Sequence, residues 1–375
     1  MKRVVVVFGT RPEAIKMIPV VKELRKHAQF QTIVVTTGQH RQMLDQVFET
    51  FSERPDIDLN MMTPGQSLTD VTARALIGVG GVIDAQAPDL VLVHGDTTTA
   101  MAAALAAFYR RCPIGHVEAG LRSFDLQRPW PEEFNRVAID SIAAYAFAPT
   151  PAAKANLEAE YNRRAKIYIT GNTGIDALLY VSRMIDNGGP ICDALGSRFA
   201  FLDPAKRLVL ITGHRRESFG DGFERICDGL SMLAARGDVE LLYPVHFNPQ
   251  VKTVVRERLK NQPAIHLVDP VDYLDMVYLM KRSTLIITDS GGIQEEAPAL
   301  GKPVLVMRDV TERPEAMATG VAQLIGTDPA RMRACAGELL DSADVYWRVA
   351  QPVFPYGNGT AAQQIVEILK LEMLP

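Results

Sequence analysis

Four cysteines in 375 residues are too few and too scattered to staple a fold. Cys112, Cys192, Cys227 and Cys335 form no CxxC pair and have no histidine pattern beside them. That excludes a disulfide framework and leaves reduced thiols as the expectation. Long apolar runs are also missing: the longest, residues 100–109, has about half the length a membrane span requires. The apolar run at residues 4–8 is too short for the core of a signal peptide and reads as a buried first strand, so a cytoplasmic location is expected. Neither sign of charge dominates, with 40 Lys and Arg against 44 Asp and Glu and a net charge of −4. That balance argues against nucleic-acid or membrane-surface partners, which need a basic face. No loop carries G-x-G-x-x-G or a Walker A sequence, so no nucleotide cofactor such as a nicotinamide or flavin dinucleotide is expected. There is no G-x-S-x-G elbow, and no histidine or carboxylate spacing suits a metal, so a serine hydrolase and a protein-ligated metal are not expected either.

What remains is the mix of a globular protein, 47% apolar and 22% charged, long enough for two domains of about 150–200 residues each. Short Val/Ile/Leu-rich runs alternate with amphipathic stretches through nearly the whole chain. The first set lies at 4–8, 32–36, 90–94, 114–117, 144–148 and 167–169. The second lies at 208–211, 240–244, 265–268, 284–288, 303–306 and 321–325. Continuous apolar strands between helices, for example 12–27, 97–111, 221–236 and 330–341, predict parallel sheets covered on both faces. The rhythm breaks once, between residues 171 and 206, where a domain boundary is expected. After the turn cluster Pro355-Tyr356-Gly357-Asn358-Gly359, a closing helix over 361–371 is placed to fold back on the first domain.

The unusual residues cluster just after the strands, where an open α/β sheet binds its ligand. Gly9-Thr10-Arg11-Pro12-Glu13 opens a helix with proline in its first turn, and Arg11 and Lys16 add charge. The same pattern also fits an ordinary tight turn. Asp96, within His94-Gly95-Asp96-Thr97, suits either an N-cap or an acid. Glu118 stands in an apolar run with Arg122 as a nearby candidate partner. Glu132 and Glu133 begin a helix whose dipole they would complement, and Arg136 lies one turn beyond Glu132. Three carboxylates from successive loops of one domain favour acid–base work over three separate structural roles. In the second half, His214 and His246 follow strands, and Ser290-Gly291-Gly292 starts a helix. Small residues there let a phosphate approach backbone N–H groups. Glu296 suits a ribose, while Arg308 and Arg313 could meet a diphosphate.

Read jointly, these segments resemble one family. They are GTRPEAIKMIP at 9–19, TGQHRQML at 37–44, HGDTTT at 94–99, GHVEAGLRS at 115–123 and PWPEEFNR at 129–136. The rest are GNTGIDAL at 171–178, TGHRRESFG at 212–220, PVHFNP at 244–249, DSGGIQEEAPALGKPVLVMR at 289–308 and TERPEA at 311–316. The family is the bacterial non-hydrolysing UDP-N-acetylglucosamine 2-epimerases, and the likeness runs from near residue 3 to the final helix.

The resemblance implies a GT-B fold: an α/β protein of two Rossmann-like doubly wound domains facing a central cleft, with the C-terminal helix returning to the first domain. Residues 1–171 with 357–375 would carry the acid–base carboxylates, and 172–356 would bind UDP. The implied reaction interconverts UDP-N-acetylglucosamine and UDP-N-acetylmannosamine by elimination and re-addition, without a cofactor. A cytoplasmic homodimer supplying surface polysaccharide is implied as well. Asp96, Glu118 and Glu132 match the family's acid–base carboxylates, and Arg136 and His214 match residues needed for activity. Arg11, Lys16, Asp96, Glu118, His214, Ser290, Gly291, Gly292, Glu296 and Arg313 match substrate-contacting positions. Gln39 and Gln42 match part of an activating second site, whose arginine is Gly65 here. Val271 and Met276 stand where the family often has glutamine and phenylalanine near the uracil. A hydrolysing 2-epimerase and a GT-B glycosyltransferase using the same nucleotide sugar are the alternatives.

Overall fold

The computed structural model describes residues 1–374 except 39–40, 62, 64, 161–164 and 216–218, and except the side chains of 41–43. The chain forms two compact units, Met1–Leu179 with Tyr356–Pro375, and Tyr180–Pro355. The division falls inside the helix Thr173–Asp186. Among the described residues no helix is long and apolar enough to cross a membrane.

The first unit holds a parallel sheet of β1 (Lys2–Phe8), β2 (Phe30–Thr36), β3 (Ile57–Asp58), β4 (Leu90–His94), β5 (Ile114–Val117), β6 (Tyr145–Ala148) and β7 (Lys166–Ile169). Its spatial order is β3-β2-β1-β4-β5-β6-β7. The second unit holds β8 (Arg207–Thr212), β9 (Val239–Pro244), β10 (Ile265–Val268), β11 (Leu285–Thr288), β12 (Val304–Val306) and β13 (Ala322–Leu324), in the order β10-β9-β8-β11-β12-β13. Every Val/Ile/Leu-rich run named from the sequence as a strand coincides with one of these. The short β3 is the addition, since two residues carry no period. Val4 to Phe8 and Leu90 to Val93 are fully buried, as strands covered on both faces must be.

In each sheet the chain winds outward from one strand and then returns to that strand's other side. The direction reverses between β1 and β4, and again between β8 and β11. Such a doubly wound, Rossmann-like order leaves a crevice at the carboxyl ends of the two strands flanking the reversal. The loops after β1, β4, β8 and β11 are therefore the ones placed to hold ligand.

The last helix, Ala361–Met373, packs on Arg11–Arg25 in the first unit. Ile365, Val366 and Leu369 are fully buried, each contributing about 1.5–3 kcal/mol. Asp176 accepts from the N–H groups of Ala361 (3.2 Å) and Ala362 (2.9 Å) and so caps this helix from afar. Gly171 and Gly357 meet backbone to backbone there. An added Cβ on Gly171 would stand 3.1 Å from Gly357 Cα, and both residues have positive φ.

Candidate active site

At the reversal of the first sheet, Thr10 N-caps the helix Arg11–Arg25, and Glu13 completes a capping box. Buried Glu13 accepts from Gly9 N (3.1 Å) and Thr10 N (2.8 Å) and also from Thr97 Oγ1 (2.7 Å) across the crevice. Burial nevertheless pushes its carboxyl above the ordinary value. Gly9 is required by space: a Cβ would stand 2.3 Å from Thr37 Oγ1 and 2.9 Å from Thr99 Oγ1.

The second reversal is tied in the same way. Asp289 accepts from His214 N (2.7 Å) and Arg215 N (2.8 Å), joining the loops after β8 and β11. One buried carboxylate thus bridges the two loops at each crevice.

Glu118 follows β5 with φ +66° and directs its side chain to the first crevice. Lys16 donates to it, Asn172 Nδ2 donates at 3.1 Å, and His94 Nε2 lies 3.5 Å away. Burial favours the neutral acid, but Lys16 and then His94 outweigh it and hold the carboxyl well below the ordinary range. Its partner is therefore Lys16 and not Arg122. Arg122 instead bonds Asp140 (2.7 Å) and Glu160 (2.6 Å). Buried His94 has no hydrogen-bond partner on either ring nitrogen among the described residues.

Asp96 is not the cap of its helix. Thr97 accepts from Ala100 N (3.0 Å) in that role and frees the Asp96 carboxylate for Arg136. Arg136 turns to Asp96 and to Glu133 (3.2 Å), not to Glu132 as a one-turn spacing suggests. Glu133 is not a surface acid facing the helix dipole. It is 1% exposed and accepts from the N–H groups of Ser123 and Phe124, both at 3.0 Å. Glu132 is half-buried, with no side-chain bond to a described residue. Arg11 is half-buried in the first turn after Thr10.

In the second unit Ser290 caps the helix Gly291–Ala299 through its position alone, because its hydroxyl makes no capping bond. The first N–H groups of that helix point to the crevice. An added Cβ on Gly291 would lie 3.7 Å from Nη2 of both Arg215 and Arg313, so two guanidinium groups converge on the helix start. Gly292 follows in the same first turn. Arg313 is steadied by Glu295, and Tyr273 donates to Glu296 at 3.0 Å. Arg308 is buried and held bidentately by Glu312 at 2.8 and 3.2 Å. His214 stacks on His246 and sits 3.3 Å from Asp289. Among the described residues no three His, Cys, Asp or Glu side chains gather as a metal site. Gln39 and the side chain of Gln42 lie outside the described residues.

Sequence reasoning therefore missed Glu13, Glu133, Asn172 and Arg215. The T-x-x-E spacing of a capping box signals Glu13. The paired arginines of TGHRRESFG signal Arg215, though not its aim.

The profile of the family described as UDP-N-acetylglucosamine 2-epimerase matches residues 22–370. The UDP-N-acetylglucosamine 2-epimerase of Escherichia coli strain K12 is 51% identical over 369 residues, covering 98% of this chain and 98% of its own. Among solved structures, the UDP-GlcNAc 2-epimerase of Neisseria meningitidis bound to UDP-GlcNAc matches with a TM-score of 0.92 at 44% identity, over 98% of this chain and 99% of that one. The enzyme of Methanocaldococcus jannaschii in complex with UDP-GlcNAc and UDP matches with a TM-score of 0.83 at 33% identity, over 99% and 100% of the two chains. The fold class is accordingly α/β with two Rossmann-like domains of the GT-B type. Agreement of this extent, in sequence and in fold, places the chain in the UDP-N-acetylglucosamine 2-epimerase family of enzymes.

Proposed function

We propose that the enzyme interconverts UDP-N-acetylglucosamine and UDP-N-acetylmannosamine without net hydrolysis, by eliminating UDP across C1–C2 and adding it back. C2 of the sugar has no neighbouring carbonyl, so its proton is weakly acidic until the C1–O bond begins to break. The electron pair of that bond leaves with the β-phosphate of UDP. A carboxylate takes the C2 proton, and the C–H pair becomes the C1=C2 bond of 2-acetamidoglucal. A phosphate oxygen then re-forms the bond to C1 while a proton is delivered to C2 on the other face.

Removal on one face and delivery on the other require acid–base groups in different places. Asp96, Glu118 and Glu132 share that work in this reading. The strongest support is that two of them end adjoining strands and are each paired with a cation, Glu118 with Lys16 and Asp96 with Arg136. The N-terminus of the helix Gly291–Ala299, with Ser290, Gly292, Arg215 and Arg313, is assigned to the departing diphosphate. Glu296 is assigned to the ribose, His214 and Arg11 to further substrate contacts. The reading extends to a cytoplasmic homodimer that feeds surface-polysaccharide synthesis.

NMR of the enzyme with UDP-N-acetylglucosamine in D2O tests it. Deuterium at C2 of both epimers, with no acceptor added, is the expected result. UDP accumulating with free N-acetylmannosamine would indicate the hydrolysing reaction instead. No exchange at C2 would overturn the reading, and transfer seen only with an added acceptor would favour a glycosyltransferase.

A further inference from the structure

The helix Glu132–Ile142 turns Glu133, Asn135 and Asp140 into the protein, where they are 1%, 2% and 6% exposed. Polar groups buried so deeply are costly unless paired, and each of these has partners in or beside the loops after β4 and β5. Asp140 is the hub. Its Oδ2 accepts from Arg122 Nη2 (2.7 Å) and Gly120 N (3.2 Å), and its Oδ1 lies 2.5 Å from His116 Nδ1. The other ring nitrogen of His116, Nε2, lies 2.7 Å from Gly95 O. A carbonyl oxygen can only accept, and a carboxylate facing a guanidinium also accepts. Each ring nitrogen of His116 thus faces an oxygen, the Asp140 carboxylate on one side and the Gly95 carbonyl on the other. On the far side, Asn135 Nδ2 donates to Asp96 O at 2.9 Å. The carbonyls on either side of the Asp96 Cα are thus both anchored to one helix.

We propose that His116 is a positioning residue: its Nε2 head holds Gly95 O in place, while its Nδ1 head on Asp140 only orients the ring. Together with Asn135 it fixes where the Asp96 carboxylate stands. The inference rests on the proton-transfer role of Asp96 proposed above.

Two near-isosteric replacements separate the two heads. The amide nitrogen of asparagine takes the place of Nδ1, and that of glutamine takes the place of Nε2. His116→Asn keeps the bond to Asp140 and releases Gly95 O, whereas His116→Gln keeps Gly95 O and releases Asp140. Each loses one buried hydrogen bond, so a merely structural role predicts equal losses in both. Positioning predicts that His116→Asn lowers kcat about 100-fold. His116→Gln should stay within about tenfold of the native rate, with UDP affinity in both within about threefold. Equal kcat in the two variants would overturn the proposal. Should either variant fail to fold, Asn135→Ser decides: it frees Asp96 O and leaves the ion network whole. A kcat at least about tenfold lower, with UDP binding unchanged, is then expected, and a native kcat would overturn the proposal. The native enzyme run in the same D2O assay keeps the two questions apart. If it shows no exchange at C2, the functional reading fails. If it exchanges normally and the variants do not split, only the role of His116 fails.

Discussion

Replacing Lys16 by methionine separates the two forces acting on Glu118, burial and its cation. The side chains of Lys16 and Glu118 are 16% and 10% exposed, so water screens the pair weakly. Removing one partner of a buried ion pair costs about 3–5 kcal/mol. Asn172 and His94 stay beside the carboxylate, which sets the expected loss at the low end, about 3 kcal/mol at pH 7. For a unit of this size that lowers the melting temperature by about 6–12 °C.

The pH dependence is the sharper readout. In the native chain burial raises the Glu118 carboxyl, but Lys16 and His94 outweigh it and leave it well below its ordinary value of 4.5. Within that interval the unfolded chain binds more protons. The stability due to the pair is therefore fully present above about pH 4.5 and is lost as pH falls through the depressed value. In Lys16→Met burial is expected to prevail and to raise the carboxyl, so the folded form binds more protons. Its stability then falls as pH rises above about 4.5. Circular-dichroism melts of both proteins from about pH 4 to 8 should converge toward acid and separate toward neutrality. Parallel curves would refute the claim that Lys16 keeps Glu118 charged.

Steady-state kinetics and UDP titration should show Asp96→Asn, Glu118→Gln and Glu132→Gln each losing kcat by orders of magnitude while UDP affinity stays within roughly tenfold. Arg215→Gln removes one of the two guanidinium groups at Gly291, and calorimetry should find UDP binding roughly 10–100-fold weaker. Gly9→Ala forces a methyl group against Thr37 and should cost about 1–3 kcal/mol in chemical denaturation, with part recovered in Gly9→Ala/Thr37→Ala. Asp176→Ala uncaps the last helix, and hydrogen exchange should show faster opening at Ala361 and Ala362, equivalent to about 0.5–2 kcal/mol.

The strands were legible because short runs rich in Val, Ile and Leu, set between amphipathic stretches, carry the pattern themselves. Partners within the site were not, because a pair is chosen by topology and not by spacing. From Glu118 the nearest cation in sequence is Arg122, yet the left-handed backbone at Glu118 turns its carboxylate toward Lys16 on a distant helix. Arg122 is drawn away by Asp140. Asp96 read equally well as a cap or as an acid, because aspartate is common just before a helix. The adjacent Thr97 does that work at lower cost, since a hydroxyl needs no counter-charge, and the acid is left for Arg136. Glu133 shows the same limit. In a first helical turn a glutamate facing solvent and one facing the core read alike, and only the loop folded over it distinguishes them. Glu118, Asp96 and Glu133 lie around one crevice, where local preference yields to contacts set by the fold.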